Sequence, residues 1–316
     1  MSGRLLRRLY STTASAEAAA NSLLQRPLPS ITDWLTPQNS HLLSLSTSHY
    51  LRTPIPRSTP QTTGELPPGH HLVYFPPQLP ERLLLPDGSD AEQSPGPQWP
   101  RRLWAGGSIA YSRDPGNRLQ FFDSAELHER VESVQARGEK LWVWFERRIF
   151  RVPIAAAGGG PAITERRCLV FLPADAPAVQ RRDLEVKRDV RRDFAETFAP
   201  TQHLLFRFSA LTHNVHRIHY DSPFSRTVEG FGGNLCHGPL AVVFLLGLLK
   251  RELPRRKRVV GFEYKCLAPM FVAEPYRIAG RWKGEEAEEA RKCELWVETP
   301  SGGYAVRGTA EMEDDG

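Results

Sequence analysis

The sequence contains few cysteines and no closely spaced pair of them. Its 316 residues include four, Cys168, Cys236, Cys266 and Cys293, without a Cys-x-x-Cys pair. Structural zinc sites and redox-active dithiols usually show such pairs, and small secreted proteins carry denser cysteine frameworks. The sequence therefore indicates neither a zinc site nor a disulfide framework, and a reducing compartment fits it.

The sequence also lacks a strong charge bias and a long apolar run. Lys plus Arg number 41 against 36 Asp plus Glu, a net charge of +5 spread along the chain. A nucleic-acid-binding protein normally concentrates more basic charge on one face, so no nucleic-acid partner is expected. The longest apolar segment, Leu240–Leu249, is about half of the ~20 residues that a membrane span needs, so no membrane span is expected either.

The N-terminus has the composition of a mitochondrial transit peptide. It contains Arg4, Arg7 and Arg8, several Ser and Thr, and no acidic residue before Glu17. Transit peptides are rich in Arg and Ser and poor in acids. We therefore predict a transit peptide over residues 1–22, cleavage near Tyr10–Ser11, and residence in the mitochondrial matrix.

The sequence pattern of the first half of the chain predicts strands connected by loops. Apolar and polar residues alternate in several segments, which is the pattern of half-buried strands. We predict a first domain over residues 23–172, with an exposed loop at residues 83–100 and a linker dense in Arg and Asp at residues 173–200. The predicted strands are Ser108–Ser112, Ala125–Ala136, Lys140–Val152 and Cys168–Leu172.

The second half, residues 201–316, contains a predicted helix that is apolar at nearly every position. After an apolar run at Leu204–Leu211, predicted as a strand, Leu240–Leu249 is preceded by Pro239 and followed by Lys250 and Arg251. A proline in the first turn and basic residues in the last are helix boundary signals. Four predicted strands follow: Val259–Tyr264, Tyr276–Trp282, Glu294–Glu298 and Tyr304–Glu311.

One buried helix followed by antiparallel strands indicates a sheet that wraps the helix, which is a hot-dog fold. The first half repeats the strands without an equally clear central helix. We therefore predict an α+β double hot-dog, in which two antiparallel sheets each wrap a helix and the first copy is degenerate.

A short polar segment follows the apolar run of the second half. It contains His213, Asn214, His216, His219 and Asp221. Further along, His237-Gly238 directly precedes the apolar helix, where free backbone N–H groups and the helix dipole favour negative charge. The first segment offers a proton-transfer group and the second an oxyanion hole.

These segments carry a family resemblance. Ser209–Asp221 and Gly230–Leu240 resemble the MaoC-like or R-specific hydratase family, and most closely its mitochondrial hydroxyacyl-thioester dehydratase and mesaconyl-C4-CoA hydratase branch. Weaker similarity at Trp99–Gly107 and Pro161–Arg167 extends the resemblance to roughly residues 65–311. It implies a double hot-dog monomer or homodimer, without metal or cofactor, that acts on an acyl thioester of CoA or of the phosphopantetheine of acyl carrier protein.

The resemblance also implies roles for single residues. The wider family has Asp-x-Asn-Pro-Leu/Ile-His, whose Asp and His hold the catalytic water; His219 aligns with that histidine and Asn214 with the aspartate. Because an amide cannot accept a proton, His219 must do the acid–base work, with Asp221 as possible support. The N–H of Gly238 would bind the thioester oxygen, and His237 would support the site by capping or packing.

Three functions remain open from the sequence. The leading hypothesis is a 3-hydroxyacyl-thioester dehydratase, or enoyl-thioester hydratase, of mitochondrial fatty acid synthesis. The second is a hydratase of mesaconyl-C4-CoA or itaconyl-CoA, which needs a cation for the free carboxylate, with Arg207, Arg217 or Arg226 as candidates. The third, favoured by Asn214, is a non-catalytic acyl-thioester-binding protein.

A basic run follows the apolar helix. Arg255, Arg256 and Arg258 lie together in a predicted turn between this helix and the next strand. They are either solvated or bind a CoA phosphate or an acidic carrier protein.

Overall fold

The computed structural model describes residues 15–153, 159–177, 190–284 and 286–315. Within these ranges the chain forms ten strands and five helices. The helices are α1 (residues 15–24), α2 (Pro37–Leu51), α3 (Gln202–Thr212), α4 (Ser222–Thr227) and α5 (Gly238–Glu252). The strands are β1 (Ile31–Trp34), β2 (Arg101–Tyr111), β3 (Ser124–Arg137), β4 (Lys140–Arg151), β5 (Ile163–Leu172), β6 (Phe194–Phe198), β7 (Lys257–Cys266), β8 (Tyr276–Trp282), β9 (Lys292–Glu298) and β10 (Tyr304–Asp314).

All ten strands belong to one antiparallel sheet in the order β1-β3-β4-β5-β2-β7-β10-β9-β8-β6. The two halves of the chain meet at the β2–β7 pair, where Ser108 lies opposite Glu263. The predicted α+β double hot-dog is confirmed, and the eight predicted strands of β2–β5 and β7–β10 are present. The two expected sheets are, however, joined edge to edge into a single one, and this places first-half residues beside the second half.

Helix α5 is the central helix of the second half. Its side chains from Leu240 to Leu246 are all buried, and it packs against β8 and β9 as well as β2. Gly238 and Pro239 form its first turn, and Lys250 and Arg251 lie in its last turn, where positive charge is favoured by the helix dipole. The helix that the apolar run predicts is therefore confirmed. Among the helices of the described residues, none has the length and apolar composition that a membrane span requires.

The first half has no helix in the equivalent central position among its described residues. Helix α2 packs against α3, α5 and β6, which are elements of the second half. The core of β3–β5 is instead closed by α1, whose Ala16 and Leu23 are buried together with Leu141 and Phe145. The first copy is degenerate in this physical sense.

Helix α1 bears on the transit-peptide prediction. Residues 1–14 lie outside the described residues, but residues 15–22 belong to α1, and Leu23 is fully buried. The predicted boundary at residue 22 thus falls inside a packed helix, whereas cleavage near Tyr10–Ser11 leaves that helix intact. The transit peptide itself stays a prediction.

The apolar run Leu204–Leu211, predicted as a strand, is the helix α3, so that prediction is wrong. Leu204, Leu205 and Phe208 are buried on one face of the helix. Their spacing is that of a helix face, whereas a half-buried strand would bury every second residue. The helix begins after Thr201, whose side chain accepts a hydrogen bond from Leu204 N at 3.2 Å.

The predicted linker and the predicted exposed loop both contain structure that the sequence does not indicate. The predicted linker 173–200 contains β6, which pairs with β8 and so belongs to the second half; residues 178–189 of this linker lie outside the described residues. The predicted exposed loop 83–100 contains buried Asp87, Ser89 and Trp99. A polar segment can be buried when its side chains find hydrogen-bond partners, as these do.

Candidate active site

A cavity of about 360 Å³ lies where α3, the start of α5 and the strands of the first half meet. Four of the predicted site residues line it, namely Asn214, His219, His237 and Gly238, and His216 lines it as well. The structure therefore brings the predicted proton-transfer group and the predicted oxyanion hole to the same cavity.

His219 lies in a short 3₁₀ turn, Arg217–His219, between α3 and α4. Its ring Nδ1 is 2.8 Å from the backbone oxygen of Leu235. Because a carbonyl oxygen only accepts hydrogen bonds, Nδ1 carries the proton and Nε2 carries the lone pair. Nε2 has no hydrogen-bond partner in the described part of the chain, so it is free to act as a base.

His219 is the middle ring of a row of three histidines. It stacks on His237, with ring centroids 3.6 Å apart, and meets His216 edge-on at 5.7 Å. Although His237 occupies the N-cap position of α5, its side chain does not cap the helix; its Nε2 lies 2.9 Å from Ser209 Oγ. His237 thus packs against His219 and fixes the plane of its ring.

Burial keeps the rings of His219 and His237 neutral. Desolvation, followed by the charge of His216, lowers the pKa of His219 to about 3, against the opposing effect of its hydrogen bond to Leu235. Burial and the neighbouring rings hold the pKa of His237 well below its usual value. His219 is therefore an unprotonated base at neutral pH.

The low pKa of His219 gives a testable pH dependence. A histidine of ordinary pKa near 6.5 would be largely protonated at pH 5, whereas His219 stays neutral there because its pKa is lowered. For the water addition that the family resemblance implies, we expect kcat to change less than ~2-fold between pH 7.5 and pH 5. Initial rates at saturating substrate, with circular dichroism to check the fold, measure this; a loss of ~10-fold with a midpoint near 6.5 would contradict it.

Gly238 supplies an unused backbone N–H at the first turn of α5. The next residue, Pro239, has no N–H, and Leu240 N donates to His237 O at 3.1 Å. Among the described residues Gly238 N has no acceptor, and it stands at the positive end of a helix of 15 residues. This N–H can therefore stabilise an oxygen that gains negative charge.

Only glycine fits at position 238 without a rearrangement. A Cβ there would lie 2.6 Å from Cγ of Trp104. The indole is held in place because its Nε1 donates to the Tyr264 hydroxyl at 2.9 Å. Trp104 thus packs directly on the backbone of the oxyanion hole, which explains why a side chain is excluded.

Asn214 lines the cavity, but its side-chain oxygen is used locally. Asn214 Oδ1 accepts a hydrogen bond from His216 N at 3.0 Å, which shapes the turn after α3. The structure places Asp221 elsewhere: it caps α4 through Phe224 N at 3.0 Å and pairs with Arg217 at 2.8 Å, and it does not line the cavity. The geometry therefore gives Asp221 no direct contact with the cavity, and its supporting role stays a prediction.

None of the predicted substrate-binding arginines lines the cavity. Arg207 is exposed on α3, Arg217 pairs with Asp221, and Arg226 is exposed on α4. Arg255 and Arg256 are exposed before β7, while Arg258 is buried in an ion pair with Glu313 at 2.8 Å. Contact of the exposed arginines with a carrier protein stays a prediction.

Sequence reasoning missed a group of charges from the first half. The same cavity is also lined by Arg102, Arg147, Arg167 and Glu129. Arg147 lies between Glu129 and Glu165 at 2.7 and 3.0 Å. These three residues are direct cross-strand neighbours on β3, β4 and β5, so the correct strand register would have revealed them.

Comparison with known proteins agrees with this geometry. The family model of hydroxyacyl-thioester dehydratase type 2 matches residues 69–272. A mesaconyl-C(4)-CoA hydratase of Chloroflexus aurantiacus is 30% identical over 263 residues, which cover 81% of this chain and 87% of the relative. A mitochondrial hydroxyacyl-thioester dehydratase type 2 of Schizosaccharomyces pombe is 27% identical, covering 67% of this chain and 77% of the relative.

The fold has solved counterparts. A MaoC-like dehydratase from Phytophthora capsici superposes with a TM-score of 0.60 at 15% identity, covering 94% of this chain and 99% of that structure. The family model spans well over half of the present sequence, and the relatives are named dehydratases or hydratases. The chain therefore belongs to the hydroxyacyl-thioester dehydratase type 2 family and is an enzyme of the hydro-lyase class.

Proposed function

We propose that the chain is the 3-hydroxyacyl-thioester dehydratase of mitochondrial fatty acid synthesis, an enzyme that also catalyses the reverse hydration of an enoyl thioester. The observation that carries the proposal is that the lone pair of His219 Nε2 and the free N–H of Gly238 belong to residues that line the same cavity. A base and an oxyanion donor are the two groups that this reaction requires.

In hydration, His219 Nε2 takes a proton from water as the water oxygen bonds to Cβ. The π electrons move towards the thioester, and the N–H of Gly238 stabilises the resulting enolate oxygen, an effect worth roughly 3 kcal/mol in comparable sites. His219 then gives the proton to Cα and returns to its neutral form. Dehydration follows the same steps in reverse, so a neutral imidazole suits both directions.

The proposal includes the cellular location of the enzyme and the carrier of its acyl substrate. The Schizosaccharomyces pombe relative is named a mitochondrial enzyme, and the basic, acid-free N-terminus of this chain supports import into the matrix. The substrate arrives on CoA or acyl carrier protein, and the reaction as written needs no other cofactor. A homodimer remains a prediction.

A hydratase of a short dicarboxylic ester, such as mesaconyl-C4-CoA or itaconyl-CoA, is the second candidate. The Chloroflexus aurantiacus relative bears such a name. Arg102 supports it, because it lines the cavity where a long acyl chain would require apolar surface. Among the described residues Arg102 has no ion-pair partner, whereas Arg147 and Arg167 are already paired with Glu129 and Glu165.

Substrate assays separate these candidates. Purified protein is incubated with crotonyl-CoA, crotonyl-acyl carrier protein and mesaconyl-C4-CoA, and the absorbance of the conjugated thioester is followed. Faster loss of the crotonyl signal supports the fatty acid synthesis enzyme, and faster loss of the mesaconyl signal supports the second candidate. No change with any substrate contradicts both and favours the non-catalytic thioester-binding protein.

A further inference from the structure

The loop at residues 83–100 brings a buried carboxylate to the histidine row. Asp87 Oδ1 accepts hydrogen bonds from Ser89 N at 2.9 Å and Ser89 Oγ at 2.5 Å. Its other oxygen, Oδ2, lies 3.2 Å from His216 Nε2, and both side chains are at most 10% exposed. A buried carboxylate is costly unless it is paired, so the pair is fixed by burial as well as by distance.

Two backbone contacts fix this loop against the turn that carries the histidines. Gly88 has φ +80°, and a Cβ on it would lie 2.1 Å from the backbone oxygen of Val215. Arg217 N donates to Asp87 O at 2.8 Å. Because these contacts bracket His216 on both sides in sequence, they hold the backbone of Asp87 beside that residue.

The charge of Asp87 sets the proton position on His216. Burial alone would raise the pKa of the Asp87 carboxyl, but its contact with the His216 ring and its hydrogen bonds from Ser89 hold that pKa well below its usual range. An ionised carboxylate beside Nε2 favours the ring tautomer with its proton on Nε2. Nδ1 then carries a lone pair; it has no hydrogen-bond partner within the described residues, and His216 lines the cavity.

At position 214, where the family has an aspartate, Asn214 carries an amide whose oxygen already accepts a hydrogen bond from His216 N. The site therefore lacks an acid in its motif while holding one, Asp87, that comes from 127 residues earlier in the chain. His216 is the residue that both Asn214 and Asp87 contact, and its ring meets that of His219 edge-on.

We propose that Asp87 is a positioning residue of the active site and stands in for the acid missing at position 214. It holds His216 so that the lone pair of Nδ1 accepts a hydrogen bond from the reacting water, whose other proton goes to His219 Nε2. No proton moves to Asp87. The inference rests on the proposed function, because it assumes that water reacts in this cavity.

Asp87→Asn tests this role with little change of shape. The amide oxygen can still accept the hydrogen bond from Ser89 N, while the amide nitrogen faces His216 Nε2 and donates to it. The ring proton then shifts to Nδ1, which becomes a donor and no longer accepts from water. We expect kcat to fall at least ~10-fold and KM to stay within ~2-fold.

The matched control is Asp114→Asn. Asp114 Oδ1 accepts from Gly116 N at 2.9 Å, the same local turn bond as in Asp87, but it contacts no histidine. We expect unchanged kcat in this variant. His216→Ala and the double variant Asp87→Asn/His216→Ala complete a cycle: if Asp87 acts through His216, the double variant is no slower than His216→Ala alone.

The outcomes separate this inference from the proposed function. Normal kcat in Asp87→Asn, or losses that multiply in the double variant, overturn the role of Asp87 while wild-type activity and its dependence on His219 still stand. An inactive wild-type protein contradicts the proposed function itself. Should Asp87→Asn fail to fold, ¹⁵N chemical shifts of the His216 ring in the wild type decide: protonated Nε2 supports the proposal, and protonated Nδ1 overturns it.

Discussion

Replacing His219 with alanine is expected to lower kcat at least ~100-fold, because the variant loses the group that accepts and returns the proton. The ring is held by the hydrogen bond to Leu235 and by stacking on His237, so its free Nε2 is fixed in direction. A water that enters the vacated space can bridge to the substrate but is a far weaker base. Steady-state kinetics with crotonyl-CoA measure the effect, and melting temperatures show whether the fold is kept.

His203→Ala is the control for this variant. His203 is exposed on α3 and does not line the cavity. We expect its kcat to equal that of the wild type. Near-normal turnover in His219→Ala would refute the assignment of His219, and an equal loss in both variants would indicate a general effect of the substitution.

Much of the fold could be predicted from local sequence patterns. Helix α5 stands out because nearly every position is apolar, and the strands that follow it alternate visibly. The adjacent apolar residues of Leu204–Leu211 favour a strand, whereas the Thr201 cap and packing against α2 stabilise a helix. Strand β6 is not predicted because it is only five residues long and lies within a charged stretch.

The site residues also divide into those that the local sequence reveals and those that only the tertiary structure reveals. His219, Asn214, His237 and Gly238 could be found because they lie in two short segments whose spacing is readable. Asp87 and Arg147 could not, because they lie far away in sequence. Asp87 reaches the histidine row through docking of its loop, and Arg147 reaches the cavity through the β2–β7 pairing of the two halves. Local patterns therefore predict the reacting groups, and only the tertiary structure supplies the charges around them.

Glu165→Gln is expected to lower the free energy of unfolding by about 3–5 kcal/mol, because it removes the negative charge between the buried Arg147 and the half-buried Arg167. Glu165 is 1% exposed; its carboxylate lies 3.0 Å from Arg147 and 2.6 Å from Arg167. Glutamine has nearly the same volume, so the change isolates the charge. Urea denaturation of the wild type and the variant at pH 7 measures the difference.

The lowered pKa of Glu165 reflects the same ion pairs. Burial alone would raise this pKa, but the charges of Arg167, Arg147 and His71 lower it to about 2, from an unfolded value of 4.5. A lowered carboxyl pKa stabilises the folded state above the unfolded value, and this contribution is lost as the pH falls towards 2. The shift corresponds to about 3 kcal/mol at pH 7.

Glu132→Gln provides the matched comparison. Glu132 pairs with Arg166 at 2.6 Å, but the Arg166 side chain is 45% exposed, so water screens the interaction. We expect this variant to lose less than ~1 kcal/mol. Equal losses in the two variants would mean that burial does not strengthen the Glu165 pairs. A large loss in Glu165→Gln alone would show that the ion pairs of Glu165 with the cavity-lining Arg147 and Arg167 also stabilise strands β4 and β5, which ties the shape of the active site to the stability of the fold.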